Sequence, residues 1–135
     1  MIATIRGEIS QIEENALVVE VGGVGVRVFV PAPLRGRLKT GEMIFLFTHL
    51  VVREDAWLLY GFESQADREL FNMLLGVDGV GPKVALSVLS TLSVDAIQRA
   101  VFTEEPDIFS RVPGVGKKSA QKIALHLKDK LKPID

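Results

Sequence analysis

Asp78-Gly79-Val80-Gly81-Pro82-Lys83-Val84-Ala85 and Pro113-Gly114-Val115-Gly116-Lys117-Lys118-Ser119-Ala120 are two copies of one phrase. Gly79 and Gly114 stand 35 positions apart, and so do Gly81 and Gly116. Self-similarity at a fixed spacing marks a duplicated supersecondary unit, and such units pack as a pair. Each copy reads helix, Gly-Val-Gly, helix. The leading helix ends in Leu74-Leu75 or in Ile108-Phe109, and the following one begins near Pro82 or Lys117. Glycine tolerates positive φ and carries no Cβ, so Gly-x-Gly between helices makes a tight turn. The central Val80 or Val115 is expected to point inward and staple the two helices. What remains outside is a row of free backbone N–H groups at a helix N-terminus with no side chain in front of it. That is an anion site, and a DNA phosphate fits it. Lys83, Lys117 and Lys118 add charge and reach. The first copy departs at Asp78, whose carboxylate repels phosphate, and at Pro82, whose missing N–H is tolerated at the first helical position.

Upstream of the repeat the helical pattern reaches back to Ser64, a good N-cap with Asp67 at the capping-box position. Leu70, Phe71, Leu74 and Leu75 form its apolar stripe. Between the copies, Ser93 caps a helix with Ile97, Ala100 and Val101 on one face. Before Phe62 the period is two. Ala16 to Val21, Gly22-Gly23, then Val24 to Val30 read as a hairpin rich in β-branched residues, ended by Pro31 and Pro33. Met43 to Val52 and Ala56 to Phe62 are two further strands around Arg53-Glu54-Asp55. With Ile2 to Ile12 this makes five or six strands, and closure into a small barrel hides the edges of so small a sheet. The expected fold is α+β in two small domains: residues 1–62 a small β-barrel, residues 63–135 an all-α domain with two helix, Gly-Val-Gly, helix units.

Composition narrows the function. The chain has 135 residues, 47% of them apolar, which is enough for packed cores. It has no cysteine, so disulfides and thiolate metal sites are excluded, and a cytoplasmic location is expected. No apolar run approaches a membrane span, and no signal peptide is visible. Net charge is −1, but seven of the basic residues fall between Arg111 and Lys132, where Asp129 is the single acid. A basic stripe on a near-neutral protein is the footprint of nucleic-acid binding. Within it Lys117, Lys118 and Lys122 read as DNA contacts, and Lys128, Lys130 and Lys132 as a solvated face. His49 and His126 lack neighbours at metal-ligand spacing. Trp57 and Tyr60, in a strand, read as core or interface rather than as a base-stacking platform. Gly22-Gly23-Val24-Gly25 leads into a strand, so it is no dinucleotide fingerprint. Gly116-Lys117-Lys118 lacks the Walker A glycine at Arg111 and the Ser or Thr at Lys118. No cofactor is expected.

Val112 to Ala120 resembles the consensus of the helix-hairpin-helix family of sequence-independent DNA binders. The chain as a whole, in order, resembles the RuvA family of Holliday-junction proteins. Thr48-His49-Leu50-Val51-Val52-Arg53-Glu54-Asp55 followed by Leu58-Leu59-Tyr60-Gly61-Phe62 carries this likeness most specifically. The resemblance implies that the barrel is OB-like and the helical domain carries tandem helix-hairpin-helix motifs, and it implies binding of four-way junction DNA by a homotetramer, or by an octamer, that holds the junction open and square. It implies the RuvB ATPase as branch-migration motor, the RuvC resolvase as a further partner, and no catalysis by the chain itself. It implies an acidic pin at Glu54 and Asp55 near the crossover, Arg53 beside it on a phosphate, and DNA contacts from Gly79, Val80, Gly81, Lys83, Gly114, Val115, Gly116, Lys117, Lys118 and Lys122. Family members carry a third helical domain that contacts RuvB. The chain stops at Asp135 without it, so junction binding is expected to survive and coupling to RuvB to be lost. The motif alone also admits a general duplex binder, because backbone-to-phosphate contacts carry no sequence information. A base-excision glycosylase with Asp135 as its acid, and a protein scaffold without DNA affinity, are the remaining readings.

Overall fold

The structure is a computed structural model that describes residues 1–131. Lys132, named in the basic stripe, and Asp135, named as a glycosylase acid, lie outside the described residues. The chain divides into two compact units, the first ending at Arg68 and the second starting at Glu69.

The first unit is a closed five-stranded barrel, β1 (Thr4–Ile12), β2 (Ala16–Val21), β3 (Val24–Phe29), β4 (Met43–Val52) and β5 (Trp57–Phe62), in the order β1-β2-β3-β5-β4 with β4 returning to β1. Neighbours are antiparallel except β3 and β5, which run parallel through Val28↔Leu59 and Phe29↔Tyr60. The two-residue period seen in β3 holds: Val28 is buried and Arg27 exposed. Ile9, Leu17, Val19, Val28, Val30, Leu46 and Leu59 fill the interior. Register shifts in β1 between Ile9 and Gln11, a bulge of the kind that curves a strand toward closure. Between β3 and β4 lies a short helix, α1 (Ala32–Gly36), where two prolines had suggested only the end of a strand. Pro31 is its N-cap and Pro33 lies in its first turn, where no N–H is needed, so the ring costs nothing there. Its Leu34 is buried in the barrel core.

β4 and β5 pair from Phe47↔Phe62 to Val52↔Trp57. Their outer partners stop sooner, β1 at Thr4↔Phe47 and β3 at Val28↔Leu59. The last rungs, Val51↔Leu58 and Val52↔Trp57, therefore form a two-stranded ribbon that overshoots the barrel. Tyr60 is buried, as a strand aromatic is expected to be, but Trp57 is 72% exposed.

The second unit is helical: α2 (Gln65–Leu75), which starts just before the boundary, α3 (Pro82–Thr91), α4 (Val94–Phe102), a 3-10 helix (Pro106–Arg111) and α5 (Lys117–Lys130). Ser64 Oγ accepts from the Asp67 N–H at 3.1 Å and Ser93 Oγ from the Ala96 N–H at 3.1 Å, the two N-caps read from sequence. Leu70, Phe71 and Leu74 of α2, with Ile97, Ala100 and Val101 of α4, are buried as their spacing predicts. The segment ahead of the second repeat is a 3-10 turn rather than an α-helix. It has six residues, starts at Pro106, and is held by one fully buried side chain, Phe109. No single described helix is long and apolar enough to cross a membrane.

Candidate nucleic-acid interface

The two copies of the repeat have one geometry. In the first, the Val80 N–H donates to the Val77 carbonyl at 3.0 Å; in the second, Val115 does the same to Val112 at 3.0 Å. The third residue of each turn has positive φ, Gly79 at 86° and Gly114 at 91°. Only glycine takes that conformation without strain, so these two positions are fixed by the turn itself. The residue before it is Asp78 in one copy and Pro113 in the other, and the turn accepts both. Val77 and Val80, and equally Val112 and Val115, are buried, so the inward staple is present twice.

Gly81 and Gly116 differ from their neighbours in one respect. Each is the N-cap of the helix that follows, with φ, ψ of −92°, −179° and −90°, −177°, extended values open to any residue. A Cβ on either would meet nothing within 4 Å. Neither helix start has a side-chain cap. The first-turn N–H groups, which have no partner inside a helix, thus face solvent past a bare Cα. The fold does not demand glycine here, and the absence of a side chain leaves the helix start open to close approach. In α3 the N1 residue is Pro82, so this helix offers one amide fewer than α5.

The repeat spacing maps Lys83 onto Lys118, each the second residue of its helix. Lys83, Lys117, Lys118 and Lys122 are exposed, and Lys122 lies one turn beyond Lys118 on the same face. None of the four is in an ion pair among the described residues. Lys128 is different: its Nζ lies 2.8 Å from Glu104 Oε1, and that carboxylate raises its pKa. This pairing supports reading it as part of a solvated face. Lys130 sits in the last turn of α5, where a cation complements the helix dipole. The Ser87 Oγ on α3 donates to the Pro113 carbonyl at 3.2 Å, and Val84 lies beside Gly114. The helix of the first hairpin thus carries the turn of the second. Nothing in the sequence signals this contact, since it depends on how α3 packs.

At one end of the barrel, Arg53, Glu54, Asp55 and Ala56 form the turn of the β4–β5 ribbon, closed by the Arg53 N–H on the Ala56 carbonyl at 2.9 Å. All four are exposed. Neither carboxylate is in an ion pair among the described residues. His49 is half-buried in β4, and burial with the nearby Arg68 cation holds its pKa below the usual imidazole value. His126 lies against Gly76 at the end of α2. No group of three or more His, Cys, Asp and Glu suited to a metal ion occurs among the described residues.

Residues 1–61 match the family pattern described as RuvA N terminal domain, and residues 71–129 the pattern described as SAM-like Helix-hairpin-helix tandem. A protein of Chloroflexus aurantiacus named Holliday junction branch migration complex subunit RuvA is 48% identical over 97% of this chain and 68% of its own length. The chain belongs to the RuvA family. RuvA proteins of the same printed name from Symbiobacterium thermophilum and Pseudomonas entomophila are 53% and 46% identical, over 97% and 98% of this chain. The chain spans 64% and 65% of the length of those two relatives. Both halves of the RuvA likeness coincide with structure: the first pattern ends with β5, and the second covers both hairpins.

Proposed function

We propose that this chain binds four-way junction DNA as a homotetramer, through the backbone amides of its two hairpins, as the non-catalytic DNA-binding partner of the RuvB motor in recombination and repair. The observation that carries the reading is the pair of uncapped helix starts behind Gly81 and Gly116, equal in geometry and flanked by Lys83 and by Lys117, Lys118 and Lys122. Amides fixed at a helix N-terminus recognise phosphate without reading sequence. That suits a protein whose substrate is defined by shape. Domain limits of 1–62 and 63–135, an octamer on the junction, and the RuvC resolvase as a further partner belong to the same reading. Competition between a synthetic four-way junction and a linear duplex of equal length, at moderate salt with Mg²⁺, tests it. Strong preference for the junction is expected; equal binding would leave only a general duplex binder.

Two predictions arise here. Lys118→Ala removes one phosphate contact, so log Kd against log salt should become shallower by about 1. An unchanged slope would remove Lys118 from the interface. Glu54 and Asp55, exposed at the ribbon tip with Arg53 beside them, act in this reading as a pin that repels phosphates at the crossover, most strongly where solvent is excluded. Glu54→Gln with Asp55→Asn should keep or tighten junction binding while weakening discrimination between open and stacked junctions. Lost binding in that variant would show that the carboxylates attract rather than repel.

A further inference from the structure

Trp57 is the only tryptophan of the chain, and it is 72% exposed. It pairs across the ribbon with Val52, itself 59% exposed, on the rung next to the turn that holds Glu54 and Asp55. Its side chain lies on the same face of β5 as Leu59, which is buried in the barrel. Two residues further along, the ribbon has left the barrel, and the indole that parity would place in the core stands in solvent. A large aromatic left uncovered is the informative kind of surface residue.

We propose that the Trp57 indole, with Val52 beside it, is a stacking platform for an unpaired base at a DNA branch point. This rests on the junction-binding reading above. Charge chooses the occupant. A phosphate is repelled by the two carboxylates at the tip, whereas a nucleobase is neutral and flat. Every base presents a π-face, so the contact needs no particular sequence. The bases of a continuous duplex are already stacked on their neighbours and offer nothing to the indole. Only where strands part does a base become available. The tip and its stem then divide the work: the carboxylates keep backbones apart, and the indole holds the base that the separation frees.

A single tryptophan makes the test direct. The emission of Trp57 is followed while the full chain is titrated with three probes: a four-way junction, the same junction with one unpaired base at the crossover, and a linear duplex. Binding of each is measured separately by anisotropy of a dye on the DNA. The expected result is quenching by both junctions, deeper with the unpaired base, and none by the duplex at equal occupancy. Trp57→Ala should bind the junction with the unpaired base at least about fivefold more weakly, with duplex affinity unchanged, and Trp57→Phe should restore most of the loss. Junction preference with silent emission overturns the platform alone. A loss of junction preference in the wild-type chain overturns the function and the platform together. Emission already blue-shifted without DNA, moving on dilution as sedimentation shows subunits separating, would mean a second copy covers the indole, and would overturn the platform too.

Discussion

Gly81→Asp combined with Gly116→Asp is expected to weaken junction binding by about 100-fold or more while leaving the fold at least as stable. Both positions have extended backbone angles, and a Cβ there meets open space. Aspartate is among the best N-caps, so its carboxylate should accept the free first-turn amides and gain a few tenths of a kcal/mol over glycine at each helix. In doing so it occupies the place and the charge of the phosphate. A hydrogen bond to a charged group is worth about 1.5–3 kcal/mol, or roughly 10–100-fold in affinity per hairpin. Thermal melting together with DNA anisotropy measures both arms. A variant that melts normally and still binds tightly would mean that the amides behind Gly81 and Gly116 do not touch DNA. Substitutions at Gly79 or Gly114 are poorer probes. Their positive φ makes any other residue cost about 1–2 kcal/mol in the turn itself, so lost binding there mixes with lost structure.

That contrast marks where sequence ends and structure begins. The repeat at 35-residue spacing makes the paired hairpins legible, and the inward valines follow from it. Four glycines that look alike in the sequence turn out to do two different things. Gly79 and Gly114 are required by φ, whereas Gly81 and Gly116 have angles open to any residue and leave two helix starts bare. The caps at Ser64 and Ser93 were readable because short polar side chains before an apolar stripe have few other roles. The barrel was readable from its β-branched alternation, but α1 was not. Five residues with prolines at the N-cap and in the first turn carry no period, and the helix exists because Leu34 finds the barrel core. Trp57 shows the opposite failure. Strand parity correctly gives its face, but parity cannot tell where a barrel ends. Ser87 was silent because its partner is a carbonyl, and carbonyls belong to every residue.

Phe109→Ala should destabilise the helical unit by about 3–5 kcal/mol, the range for emptying a fully buried aromatic site. The 3-10 helix that carries Phe109 is only six residues long, and short 3-10 segments have weak hydrogen bonds of their own. It is held by packing against α4 and α5, and Phe109 is its one fully buried side chain. Its carbonyl also accepts from the Val112 N–H at 3.1 Å, so the residue that opens the second hairpin hangs directly from it. The cost should therefore appear twice. The melting temperature should fall by roughly 10–20 °C for a chain of this size. At temperatures where the variant is still folded, the salt dependence of DNA binding should lose the contribution of Lys117 and Lys118, while that of Lys83 remains, because the first hairpin is built on α2 and α3. Phe109→Leu, which keeps most of the volume, should recover most of the stability and the full salt slope. A Phe109→Ala protein that melted within a few degrees of wild type would mean that the second hairpin is held by its own turn and by Ser87 alone, and that the 3-10 helix is only a connector.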